Sequence, residues 1–465
     1  MIKFYNFLSR KKGKFIPIRK EWVGLYTCGP TVYDFVQIGN LRTFIFEDLL
    51  RRTLEYAGYK VKHVMNITDV EDKIIKKAKE KNKKISQITR YYEKAFFEDI
   101  KALNIKKASF YPRATEHIKE MVSIIGKLLK NKLAYKADGS VYFDISRFKP
   151  YGKKLAKINI KNLKAGARVD VDEYGKEAAG DFVLWKGEKL GEPSWAAPFG
   201  RGRPGWHIEC SAMSSKYLGQ PFDIHTGGVD LIFPHHEDEI AQSEGAFKKP
   251  FAKYFLEGEH LLVNGRKMSK SLGNFYTLCE IEEKNINPIA FRYLVLTTHY
   301  RSKLNFTWES LDAAKNSLDR LYDFIRNLGS ASDNQPEKKL ETVKKYRKQF
   351  EKAIFDDLDA PKAIATIWNL INQYNKKPES FDPGIVLKMF YDFDEVLGLG
   401  FKNIKKIEIP KIVSELTEKR EQYRSEKKWK EADKIRDKIK KLGFTLEDSE
   451  NGPKTKSLET TVLKA

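Results

Sequence analysis

Cysteine is scarce in this chain. There are three in 465 residues, Cys28, Cys210 and Cys279, and they lie far apart. An odd, scattered set argues against a disulfide framework and for a reducing compartment, so a cytoplasmic location is expected. Long apolar runs are missing too. None approaches the ~18–20 residues that span a bilayer, and no membrane partner is expected. Met1 to Lys14 holds only Phe4–Leu8 as an apolar patch, followed directly by basic residues and no small-residue cleavage site. A signal peptide is therefore not expected. Internal repeats and low-complexity tracts are absent. Acidic residues number 63 against 86 basic ones, a net charge of +23. The excess suits a polyanionic partner such as nucleic acid, but compositional drift toward lysine would also produce it.

What is present is an ordinary globular mixture, 41% hydrophobic and 32% charged. At this length it implies about two to four domains. Glu21–Thr27 reads as a buried strand, and Tyr59–Ile67 as another. Between them, Leu41, Phe44, Ile45, Leu49, Leu50 and Leu54 recur at helical spacing. This predicts a helix from Asn40 to about Ala57, with Asn40 as N-cap and Gly58 as stop. The unit is βαβ, and its first loop enters a helix N-terminus, where phosphates are commonly held.

Lys73 to Lys164 reads as a largely helical, lysine-rich insertion, and Gly166–Gly205 as a loop-rich return. Strand-like segments recur at Phe222–His225 and Tyr254–Val263. From Trp308 the pattern is helical, with Leu311, Ala314, Leu318, Leu321, Ile325 and Leu328 on one stripe. A polar break at residues 329–337 precedes further helices to about Leu399. A last unit begins near Ile409. Its predicted helix, Ser425–Leu442, places Ala432, Ile435, Ile439 and Leu442 on one face, with lysines opposite.

Three constellations carry chemistry. Lys267-Met268-Ser269-Lys270-Ser271 follows the turn Asn264-Gly265-Arg266, and its two lysines suit the departing pyrophosphate of ATP. Gln37-Ile38-Gly39-Asn40 lies in the strand–helix loop, where Gly39 lets backbone approach a nucleotide. Cys28, Cys210, His235 and Glu239 are competent zinc ligands, the last two one helical turn apart. On residue type alone, His236 is an equal candidate, and the two cysteines also suit plain buried thiols.

The chain resembles the cysteinyl-tRNA synthetases, a class I aminoacyl-tRNA synthetase family, from Phe4 to about Asp448. The motifs occur in order: Tyr26-Thr27-Cys28-Gly29-Pro30-Thr31-Val32-Tyr33-Asp34, Asn66-Ile67-Thr68-Asp69, Pro112-Arg113-Ala114-Thr115 and Gly166-Ala167-Arg168-Val169-Asp170. Then follow Arg203-Pro204-Gly205-Trp206-His207-Ile208-Glu209-Cys210-Ser211-Ala212-Met213, Phe222-Asp223-Ile224-His225, Phe233-Pro234-His235-His236-Glu237, Glu239-Ile240-Ala241-Gln242-Ser243 and Lys267–Asn274.

The resemblance implies an α/β fold with a Rossmann-like catalytic domain split by an insertion, followed by all-α C-terminal domains. The corresponding spans are residues 1–310 with the insertion near 106–203, a helical bundle at 311–405, and a small basic anticodon-binding unit at 406–465 with a disordered tail beyond Glu450. It implies one Zn²⁺ on Cys28, Cys210, His235 and Glu239, and a cysteine pocket lined by Thr68, Trp206 and His225. ATP, with Mg²⁺, would meet Gln37, Gly39, Asn40 and Asp230, and Lys267 and Lys270 would close on it as the catalytic lysines. The implied partners are L-cysteine, ATP and tRNA(Cys), acting on a monomer. Gln37 departs from the histidine usual in this family; it keeps a neutral NH₂ donor but no charge. A ligase joining cysteine to a small amine would share these motifs, yet would not need the basic unit Ile409–Asp448. An inactive paralogue has only Gln37 in its favour.

Overall fold

The computed structural model describes residues 1–158, 181–268, 273–328, 337–404, 410–447 and 453–457. Among them, four parallel strands form the central sheet, in the order Ala252–Gly258, Phe222–Gly228, Val23–Thr27, Val61–Met65. Every residue of the two inner strands is buried. A strand covered on both faces need not alternate: Val23-Gly24-Leu25-Tyr26 reads as an apolar run, whereas Asp223, His225 and Thr226 interrupt the other. The chain order reverses between Val23–Thr27 and Phe222–Gly228. Outside the carboxyl ends of strands at such a reversal lies the usual ligand crevice.

The helix Ile38–Tyr56 joins Val23–Thr27 to Val61–Met65 and buries the expected stripe. It begins two residues before the expected Asn40. Gln37 is the N-cap residue, without a side-chain cap. The start is set from outside the helix: the Ile38 amide donates to the Tyr276 carbonyl (2.9 Å), and Gln37 pairs with Thr277. Gly58, at φ +91°, ends the helix as expected.

Between Val61–Met65 and Phe222–Gly228 come the helices Asp72–Glu80, Ile85–Ala102 and Ile118–Lys130. They are followed by an antiparallel sheet that the sequence reading missed: Ala134–Ala137, Ser140–Phe143, Phe182–Gly187 and Gly202–Pro204. Its strands are three to six residues long, and Phe182–Gly187 buries four residues in a row, so no alternation shows. The first turn, Asp138-Gly139, has φ of 48° and 74°, the two-residue geometry that favours this dipeptide in hairpins. Trp185, Val141, Phe143, Ile125 and Leu128 bury its inner face. The expectation at Gly166-Ala167-Arg168-Val169-Asp170 falls outside the described residues.

The apolar core of the parallel sheet continues into Trp308–Arg326, Ala360–Lys376 and Pro383–Leu397. Beyond them stands a separate small core of Val413, Ile435, Ile439 and Leu446. Here the predicted helix Ser425–Leu442 is observed as Trp429–Lys441, and a further helix, Lys411–Ser425, which the sequence reading did not give, precedes it. Lys427 takes φ +60° between them, so the second helix folds back on the first. Leu442 is left 47% exposed, off the face it was expected to share. The tail is corrected too. Lys454–Ser457 pairs antiparallel with Phe444–Glu447, filling the hydrogen-bonding edge that strand offers.

Candidate active site

Three segments that are distant in sequence meet at the carboxyl end of the sheet. Cys28 directly follows the strand Val23–Thr27. Cys210 lies on the helix His207–Leu218, and Glu239 in the first turn of Glu237–Phe247. His235 lies just before that helix, one turn from Glu239, and its Nε2 stands 2.9 Å from Glu239 Oε1. The ligand atoms of Cys28, Cys210, His235 and Glu239 all lie within 4.8 Å of one another. A second set meets the same limit: Cys28, His225, His236 and Glu239. The two share Cys28 and Glu239, so one ion at most fits there. Both histidines have Nδ1 engaged outside the cluster, His235 with His207 Nδ1 at 2.7 Å and His236 with Glu257 Oε1 at 3.0 Å, and His236 Nε2 lies 3.6 Å from Cys28 Sγ.

The electrostatics suit a soft cation. Burial pushes the Cys210 thiol up, but hydrogen bonds with Cys28 and His235 outweigh it and hold it at about 6. Burial and the Cys210 hydrogen bond push Cys28 up. Burial also pushes Glu239 up, yet the His225 and His235 imidazoles carry it well below the carboxylate range. Two thiols, an imidazole and a carboxylate in one pocket form a zinc-competent set, and each can present a lone pair once the thiols give up their protons.

The other expected residues surround this cluster. His225 Nε2 is 2.7 Å from Glu239 Oε2. The Trp206 ring lies 4.4 Å from the His235 ring, and Thr68 is 1% exposed beside Glu209. Asp230 is exposed just past the strand Phe222–Gly228. Gly39 and Asn40 lie in the first turn of Ile38–Tyr56. A Cβ on Gly39 would sit 3.2 Å from Met268 Cε, which brings the two nucleotide motifs together. Lys267 is exposed at the end of the hairpin from Leu261–Val263 through Asn264-Gly265 to Arg266–Lys267. Lys270 lies outside the described residues.

Several buried polar residues of the site were missed: Glu47, Asn66, His207, Glu209 and Glu257. His207 Nδ1 is 2.7 Å from His235 Nδ1, and the Thr226 hydroxyl donates to Glu47 at 3.0 Å. A signal existed. Glu47 interrupts an apolar helix stripe, and Glu257 interrupts the run Tyr254-Phe255-Leu256. A charge inside a buried element calls for a reason.

The family model of the tRNA synthetases class I (C) catalytic domain matches residues 14–316. A cysteine–tRNA ligase of Chlamydia caviae is 46% identical over 98% of this chain and 97% of its own length. That of Thermococcus gammatolerans is 46% identical over 97% of this chain and 98% of its own. Among solved structures, Mycobacterium tuberculosis methionyl-tRNA synthetase superposes with a TM-score of 0.58 at 13% identity, covering 82% of this chain and 90% of its own. A leucyl enzyme of Agrobacterium radiobacter gives 0.57 at 12% identity over 83% and 84%, and both likenesses speak to the fold. On its sequence the chain belongs to the cysteine–tRNA ligases, within the class I aminoacyl-tRNA synthetases.

Proposed function

We propose that the protein activates L-cysteine with ATP and transfers it to tRNA(Cys), and that one Zn²⁺ on Cys28, Cys210, His235 and Glu239 selects the thiol. The observation that carries this reading is the convergence of those four ligands at the carboxyl end of the sheet, beside the nucleotide loops. Zinc held there supplies a soft Lewis acid that favours a thiolate over the hydroxyl of serine, a distinction that an apolar pocket makes poorly.

The residues of the chain do the rest. The cysteine carboxylate attacks the ATP α-phosphorus and pyrophosphate leaves; a terminal ribose hydroxyl of tRNA then attacks the adenylate carbonyl and AMP leaves. Neither step needs a protein nucleophile, so positioning and charge stabilisation carry the rate. The N-terminus of Ile38–Tyr56 and the Gln37 amide face the phosphates, Mg²⁺ accompanies them, and Asp230 takes the ribose. Lys267 and Lys270 neutralise the departing pyrophosphate. The hairpin Lys411–Ser425 and Trp429–Lys441 turns exposed lysines outward, as a tRNA-binding unit requires. Charging of total tRNA by the zinc-loaded protein tests the reading. Cysteine, and not serine, should be attached; charging with neither would sink it.

A further inference from the structure

A chain of hydrogen bonds links the two cysteine-bearing segments. The Gly29 amide donates to Asn66 Oδ1 (2.8 Å), Asn66 Nδ2 donates to Thr68 Oγ1 (3.2 Å), and Thr68 Oγ1 donates to Glu209 Oε2 (2.6 Å). Gly29 is obligatory here, because a Cβ would fall 1.8 Å from the Asn66 carbonyl oxygen. The Gly29 amide can only donate, so it fixes which end of the Asn66 amide is oxygen and which is NH₂. Thr68 is 1% exposed and Glu209 0%. Glu209 lies in the first turn of His207–Leu218, where the helix N-terminus favours negative charge. Its Oε1 has no hydrogen-bond partner among the described residues.

A threonine hydroxyl has one proton to give and two lone pairs. Burial pushes the Glu209 carboxyl up, and a cation held beside it keeps it ionised; the hydroxyl proton then goes to Glu209 and one lone pair to Asn66. What remains is an acceptor only. A free amino acid presents a donor at one end, the ammonium, and an acceptor at the other, the carboxylate. A hydroxyl locked as acceptor takes the ammonium and turns the carboxylate away. The ammonium also needs negative charge nearby: of the buried carboxylates that keep an oxygen without a partner among the described residues, Glu209, Glu47 and Glu257, only Glu209 is bonded to Thr68. Glu239 answers His235 and His225, both Asp69 oxygens accept from Thr115, and Glu257 faces His236.

We propose that Glu209 is a positioning residue for the substrate ammonium: it holds Thr68 as an acceptor, supplies the charge behind it, and so fixes which end of the amino acid faces ATP. The inference rests on the amino-acid activation reading above and adds a determinant of substrate orientation to it.

Three thiols separate this role from a structural one: L-cysteine, cysteamine, which keeps only the ammonium, and 3-mercaptopropionate, which keeps only the carboxylate. Calorimetric titration into the zinc-loaded protein compares wild type, Glu209→Gln and Thr68→Val. Both variants should weaken cysteine and cysteamine about tenfold or more, as loss of a charge-assisted contact does, and leave 3-mercaptopropionate within about twofold. Thr68→Val stands as the test if Glu209→Gln does not fold. Equal weakening of all three thiols, no weakening of any, or loss of zinc from the variants would overturn the inference. Wild type that binds no cysteine at all would instead sink the activation reading, and this inference with it.

Discussion

Glu47 and Asp48 are neighbours on the helix Ile38–Tyr56, yet each faces a different buried polar cluster. On the Asp48 side every charge is answered. Oδ2 accepts from Arg52 and Arg292, each at 2.6 Å, and Oδ1 from the Lys106 amide at 2.9 Å. The remaining guanidinium hydrogens reach backbone carbonyls: Leu397 and Leu103 from Arg292, Glu395 and Asn104 from Arg52. This cluster ties the helix Ile38–Tyr56 to the end of Pro383–Leu397. On the Glu47 side acceptors are left over. Glu47 Oε2, Glu209 Oε1 and Glu257 Oε2 have no hydrogen-bond partner among the described residues, and neither has His225 Nδ1. A buried ionic cluster closed on itself is scaffold. One left open is completed by what enters it.

The sharpest way to break that comparison is to neutralise both neighbours. Asp48→Asn leaves two buried guanidinium groups without their anion and should cost about 3–5 kcal/mol in urea unfolding. Burial already pushes the Glu47 carboxyl well above its ordinary range, so Glu47→Gln changes little and should stay within about 1 kcal/mol. Equal losses at the two positions would erase the distinction. The open cluster should fail differently. Cys210→Ser should lose zinc affinity by more than the ~10–100-fold typical of an outer contact such as His207, as competition with a chelator would read. A variant that holds zinc like wild type would remove Cys210 from the ligand set.

Acid sharpens the contrast further. Burial alone would raise Asp48, but Arg52 and Arg292 bring it from 3.8 down to about 2. Its folded value is depressed, so the unfolded chain takes up the proton first as pH falls. The stabilisation is complete above pH ~4, is lost through pH ~2, and amounts to about 2 kcal/mol. Asp48→Asn should remove that part of the acid dependence; an unchanged slope between pH 4 and 2 would assign it to other carboxyls. The smallest effect belongs at the N-terminus of the same helix. Gln37→His should speed cysteine-dependent ATP–pyrophosphate exchange by about tenfold, or about 1.4 kcal/mol, less than the ~2.7–4 kcal/mol that loss of a whole transition-state donor costs. No gain would show that the glutamine amide already serves as that donor.

The legible parts share a physical cause. Buried parallel strands and the stripe of Trp308–Arg326 repeat one period over enough residues to stand out. The antiparallel sheet around Trp185 did not, because its strands are only three to six residues long and Phe182–Trp185 is buried throughout, so no alternation shows. The break at Lys427 rests on one left-handed lysine, which no composition announces. Cys28, Cys210, His235 and Glu239 stood out as ligand types and through the order of their motifs, since spacing says nothing across such gaps. Glu209 and Asn66 lay inside those same motifs and were passed over. Their roles depend on hydrogen bonds to Thr68 that only the folded chain brings together.

The most direct test of the open cluster as a thiol selector is the ratio of cysteine to serine in ATP–pyrophosphate exchange, measured on zinc-loaded protein and on protein stripped of metal. The account predicts a large preference for cysteine with zinc bound, collapsing when the metal is removed. A preference that survives intact in the stripped protein would contradict it.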